Sequence, residues 1–216
     1  MAQAVTTNVS TNTATRSGAS VWLWKGAIAL AGSVFLALCS HVTLPLPWTP
    51  VPLNLQPFGV ILLALLLGPG LAATTAALYL FEGAAGAPVF SPHGPGGILQ
   101  LVGPTAGYLI SYPFAAWIAG KLAGTDNSLQ PKFLRSRSAA AAAYSPASFL
   151  RFLGASVVGD AVVLVAGTAW LAILTHAAAR AVVTAALLPF LPGDFLKCVA
   201  AAAIAAGWFG WHSRRG

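Results

Sequence analysis

Apolar residues in this chain come in long runs, broken by short clusters rich in proline, glycine or charge. The runs have the length that a helix needs to cross a bilayer, about 20 residues, or fewer where a short helix packs inside the protein. Six spans are expected, at 21–40, 56–68, 71–82, 101–122, 149–176 and 194–211. The second and third are short and meet at Gly68-Pro69-Gly70, a sequence suited to a tight turn, so together they predict one helical hairpin. The first twenty residues, MAQAVTTNVSTNTATRSGAS, have no apolar run and read as a disordered polar tail, leaving 21–216 as a single membrane domain.

Composition agrees with this pattern. Of 216 residues 57% are hydrophobic and 7% charged, against roughly 25% charged in a soluble domain. The mean hydropathy is +0.79. The expected fold class is therefore all-α, a polytopic membrane protein of six helices.

Charge orients it. With the N-terminus inside, Arg16, Lys25, Lys121, Lys132, Arg135, Arg137, Arg151, Arg214 and Arg215 fall on the inner side. Arg180 alone is outside, with Lys197 near the outer end of the last span. Basic residues concentrate on the cytoplasmic face, so both termini and the basic loop 123–148 are expected in the cytoplasm. The net charge of +7 thus sorts by membrane side. Nucleic-acid binding would need a basic stripe interleaved with aromatics, and no such partner is expected.

In this topology the proline- and glycine-rich stretches 41–56, 83–100 and 188–194 all lie on the outer side. Irregular backbone near membrane depth survives only where protein or a water-filled cavity satisfies its polar groups. A lid or a binding cavity on that face is one reading, and ordinary surface loops are the other.

The last stretch holds Pro192-Gly193-Asp194 and, three residues on, Lys197. Asp194 can cap the free N–H groups of the last helix, and Lys197 lies on the same face. The pair is either a self-neutralising cap or a ligand site offering one acceptor and one cationic donor. In Gly103-Pro104-Thr105-Ala106-Gly107-Tyr108, Gly103 and Pro104 suit a turn and Thr105 supplies a hydroxyl. Gly107 would let another helix approach, and Tyr108 and Tyr112, one turn apart, could meet a ligand with ring and hydroxyl. Asn54 and Gln56 can serve loop backbone or ligand equally. Ala27 and Ala31 begin a run of small residues that permits close packing, against either this chain or a partner. Asp160 fits a proton relay or a packing role.

Cys39 and Cys198 lack the spacing of a metal or redox pair and read as buried filler, and the scattered histidines suggest no metal site. No phosphate-binding loop, HExxH or GxSxG signature occurs, so neither ATP hydrolysis nor those enzyme classes are expected.

Taken in order, LPLPWTPVPLNLQPFGVILLALLLGPG, YLFEGAAGAPVF, GGILQLVGPTAGYLISY and LPFLPGDFLK resemble the BioY family over residues 40–121 and 149–210. These are the substrate-binding subunits, or S components, for biotin in energy-coupling-factor (ECF) transporters. The resemblance implies a multi-pass protein of the bacterial plasma membrane that binds biotin from outside, without catalysis or cofactor. Its implied partners are a transmembrane coupling subunit, which an AxxxA pattern here at Ala27 and Ala31 would contact, and two cytoplasmic ABC-type ATPases. Asp194, Lys197, Tyr108, Thr105, Gly103, Tyr112 and Gln56 are the expected biotin-binding residues. An S component for another vitamin, or a membrane enzyme using Asp194 and Lys197 as acid and base, are the competing readings.

Overall fold

A computed structural model of the chain describes residues 10–47, 49, 51–125 and 146–213. The elements, in order, are α1 (Ser10–His41), β1 (Thr43–Leu44), β2 (Leu53–Asn54), α2 (Gln56–Leu67), α3 (Pro69–Ala84), a 3-10 turn (Gly97–Leu101), α4 (Ala106–Ala123), α5 (Pro146–Thr175), α6 (Ala179–Ala186) and α7 (Leu191–Ser213). The protein is a membrane helical bundle. Among the described residues, helical stretches at Ser20–His41, Ala147–Thr175 and Leu191–Trp211 are long and apolar enough to cross a bilayer, and Gln56–Leu67 is a shorter apolar helix.

The outside of the bundle is apolar. Trp22, Leu30, Val34, Phe81, Phe114, Val165, Ile173 and Leu196 are all exposed, as residues facing lipid hydrocarbon should be. Inside, alanine takes the place that leucine holds in soluble cores. Ala115 and Ala119 of α4 and Ala201, Ala202 and Ala205 of α7 are wholly buried. Small side chains let membrane helices approach until dispersion contacts between backbones hold them together. α4 and α5 approach closely, and a Cβ on Gly107 would lie 2.3 Å from Trp170 Cβ and 2.7 Å from the Ala166 carbonyl oxygen. Gly107 admits another helix, as its sequence context suggested.

The hairpin forms where expected. α2 closes at Gly68, and α3 starts with Pro69, whose missing N–H is no loss in a first helical turn. Gly120 of α4 packs on this turn, and Thr125 Oγ1 donates to the Ala64 carbonyl at 3.5 Å. Arg151 lies beside Gly124. One end of the bundle therefore gathers the α2–α3 turn, the end of α4 and the start of α5. The other holds the β1–β2 ladder, the 3-10 turn, α6 and the start of α7.

Several boundaries differ from the sequence expectation. α1 begins at Ser10, ahead of residue 21, so the helix takes in the second half of the expected polar tail; the first nine residues lie outside the described region. Extending a formed helix costs little once its nucleus exists. Residues 126–145 of the basic loop also lie outside it. α4 begins at Ala106 and not at 101, because Gly103 and Pro104 make a turn between it and the 3-10 segment. α7 starts at Leu191, before Asp194: proline at the second helical position and glycine at the third are tolerated where backbone N–H groups are free.

Two elements were not anticipated. The antiparallel pairs Thr43↔Asn54 and Leu44↔Leu53 join the ends of the stretch 41–56. They are too short to give a period-two signal. α6 has a strongly one-sided apolar face, which the alanine-rich run concealed.

The α4–α5 contact predicts that Gly107→Ala lowers stability by about 1–3 kcal/mol through overpacking. Gly154, whose Cβ position is open, accepts alanine without loss. Thermal unfolding of the two variants in detergent measures the difference.

A candidate ligand cavity at one end of the bundle

The loop end of the bundle encloses a cavity of about 550 Å³, counting the open space at its mouth. Its walls come from the stretch 41–56, the start of α2, the loop after α3, α4, α5 and the start of α7. Asp194, Lys197, Tyr108, Thr105, Tyr112 and Gln56 all line it. These positions, scattered over residues 56–197, were selected from sequence and are brought together by the fold.

Asp194 sits in the first turn of α7 with its backbone N–H donating to the Phe190 carbonyl at 2.8 Å. Its side chain is therefore held near the positive end of the helix dipole. It is 3% exposed. One turn on, Lys197 Nζ donates to Asp194 Oδ1 at 2.7 Å, with the lysine side chain 14% exposed. Each charge in the pair has its counter-ion, so the pair can be buried where either alone could not. Asp160 is buried on α5.

Gln56 does more than line the wall. Its Oε1 accepts from Asn54 Nδ2 at 2.8 Å and from the Tyr112 hydroxyl at 3.3 Å. Its Nε2 donates to the Tyr79 hydroxyl, which donates in turn to the Val89 carbonyl at 3.0 Å. Asn54 Oδ1 accepts the Gln56 N–H at 3.1 Å. Both amides are thus tied into the protein, and both side chains also line the cavity. Ser40 of α1 adds a second tie, donating to the same Val89 carbonyl at 2.6 Å.

Tyr108 uses its hydroxyl on the protein, donating to the Ala186 carbonyl at the end of α6 at 2.9 Å. What it offers the cavity is its ring. That ring fits because α5 has Gly167 opposite, where a Cβ would fall 2.2 Å from it. Gly103 is the exception among the expected residues. It is not in the inner cavity but in an outer vestibule next to it, and its carbonyl accepts from Trp170 Nε1 at 2.9 Å.

Tyr79, Phe90, Ser91, Gln100 and Phe190 were not singled out from sequence. Tyr79 is completely buried, with Phe90 edge-on at 5.4 Å between ring centres. Phe90, Ser91, Gln100 and Phe190 line the cavity. A polar residue such as Gln100 between apolar neighbours, just before a Gly-Pro turn, was the available signal. Elsewhere, Glu82 accepts from Ser33 Oγ and ties α3 to α1. Cys39 and Cys198 are free and buried.

Residues 10–213 match the sequence model of the BioY family. The "Biotin transporter BioY" of Thermotoga maritima is 32% identical over 74% of this chain and 82% of that protein. That of Rhizobium etli is 30% identical over 81% and 86%. A "Probable biotin transporter BioY" of Pyrococcus horikoshii reaches 51%, over 33% of this chain and 43% of its own length. The fold is similar to the crystal structure of the S-component for biotin from an ECF-type ABC transporter, with a TM-score of 0.68 over 86% of this chain and 90% of that one at 22% identity. With its fold, and with a match that runs through every described helix, the chain belongs to the BioY family.

Proposed function

We propose that the protein is the biotin-binding S component of an ECF-type uptake transporter, and that the cavity above α2 is its biotin site. The observation that carries this reading is a buried Asp194–Lys197 pair in an otherwise largely apolar cavity, in a chain whose relatives are named biotin transporters. Biotin's ureido group carries N–H donors and a carbonyl acceptor. Asp194 accepts from a ureido N–H, Lys197 donates to the ureido oxygen, and the rings of Tyr108 and Tyr112 pack on the apolar bicycle. The carboxylate end goes elsewhere: the single amine, Lys197, is already paired with Asp194, which disfavours a second carboxylate there. Thr105 and Gln56 complete the wall, and Gly103 acts through the turn that positions Thr105.

The chain crosses the plasma membrane of a bacterium six times with both termini inside. Lys25, Lys121 and Arg151 mark the cytoplasmic end, and the cavity opens outward. The protein is no enzyme: it passes biotin inward when joined to a transmembrane coupling protein and two ATPases. Ala27 and Ala31 lie exposed on α1 beside Gly26, whose Cβ position is open. This small-residue strip suits close docking of the coupling protein.

Equilibrium binding of labelled biotin to the purified protein tests the site. Asp194→Asn and Lys197→Ala should each lose about 2–5 kcal/mol of binding free energy, because each strands the other member of the pair. The double variant Asp194→Asn/Lys197→Met, with no unpaired charge, should fold like wild type and bind poorly. Wild-type protein that binds no biotin, or variants that bind as it does, would overturn the reading. In cells carrying the whole transporter, Ala27→Leu and Ala31→Leu should leave biotin binding intact and depress uptake.

A further inference from the structure

The polar groups of the cavity fall into two sets. Asp194 and Lys197 belong to the inner cavity alone. Ser91, Gln100 and Thr105 line both the inner cavity and the outer vestibule, and so stand at the seam between them. Gln100 Nε2 donates to Thr105 Oγ1 at 2.8 Å. With that lone pair occupied, the Thr105 hydroxyl keeps its own hydrogen to give. Ser91 is 7% exposed, and its Oγ is buried with no hydrogen-bond partner among the described residues. Buried hydroxyls in folded proteins nearly always have a partner, and this one lies where the two spaces meet.

The seam itself carries no lysine or arginine, and His93, which lines the vestibule beyond it, has its Nδ1 2.8 Å from Thr43 Oγ1. Among the described residues lining the two spaces, Lys197 is the one lysine or arginine, and it is already paired with Asp194. We propose that Ser91 and Thr105 form a neutral subsite that donates two O–H hydrogen bonds to an oxygen at the outward end of the ligand. This rests on the biotin reading, under which that oxygen belongs to the valerate carboxyl group. Hydroxyl donors recognise an oxygen acceptor as such and do not require that it be charged. A carboxamide oxygen accepts from them as a carboxylate does. The vestibule beyond the seam, bounded by loop residues such as Pro95 and Gly103, leaves room for a substituent on the carboxyl carbon. The protein therefore takes carboxyl-derivatised biotin as well as the free acid.

The test compares wild type, Ser91→Ala and Thr105→Val against three probes: biotin, its primary carboxamide, and an analogue with methyl in place of the carboxyl group. Wild type should bind biotin and the carboxamide with similar affinity and the methyl analogue roughly ten- to hundredfold more weakly. In Ser91→Ala, biotin and the carboxamide should fall toward the methyl analogue, whose own affinity should not change. The unliganded Ser91→Ala protein should melt no lower than wild type, since the substitution removes a hydroxyl without a partner; a lower melting temperature would assign Ser91 a structural role. Wild type that binds biotin but rejects the carboxamide, or Ser91→Ala that weakens all three probes equally, overturns the subsite while leaving the biotin site standing. Failure of wild type to bind biotin at all overturns both.

Discussion

Everything at the loop end of this molecule depends on keeping irregular backbone satisfied where water is scarce. A carbonyl or N–H left unpaired in a low-dielectric setting costs several kcal/mol. Three proline- and glycine-rich segments bring many such groups together. The protein meets the constraint with side chains from the helices. Tyr79 and Ser40 both reach the Val89 carbonyl, Tyr108 the Ala186 carbonyl, and Trp170 the Gly103 carbonyl. Each tie joins a helix to a loop or, for Tyr108, to the end of α6. The cavity walls are the product of these ties, and the Tyr108 ring that lines the space is held by its hydroxyl on the Ala186 carbonyl.

The ion pair is a separate matter from stability. Burying a lysine and an aspartate together recovers less than an apolar pair of the same size would provide. What it supplies is asymmetry: one strong acceptor and one strong donor fixed side by side, 2.7 Å apart, on a single helical turn. Because both charges come from α7, the pair keeps its geometry whatever the loops do. On the biotin reading proposed above, a ligand group with matching donor and acceptor meets both in register.

Sequence revealed the helices better than it revealed their ends. Apolar runs located α1, α2, α3, α4, α5 and α7, because a lipid-facing helix must be apolar along its length. Their starts were misjudged where proline and glycine occupied first turns, as in Leu191-Pro192-Gly193, since those residues signal a break as readily as a beginning. Asp194 and Lys197 were legible because charge is rare here. Gln100, Ser91 and Tyr79 were not, because a single amide or hydroxyl acquires meaning only from its neighbours in space. Gly103 was grouped correctly with Thr105 along the chain, but serves the turn and the vestibule.

The hairpin has a consequence of its own. Helices of 12 and 16 residues rise about 18 and 24 Å, against roughly 30 Å of hydrocarbon. α2 begins at Gln56, at the cavity wall, so the missing turns are at that end. The space they would have filled is taken by loops and by the cavity. The cavity thus lies where two short helices stop, among the longer helices α1, α5 and α7. Loops cap the space on one side, so its rim is set apart from the helix–helix contacts that hold the bundle together.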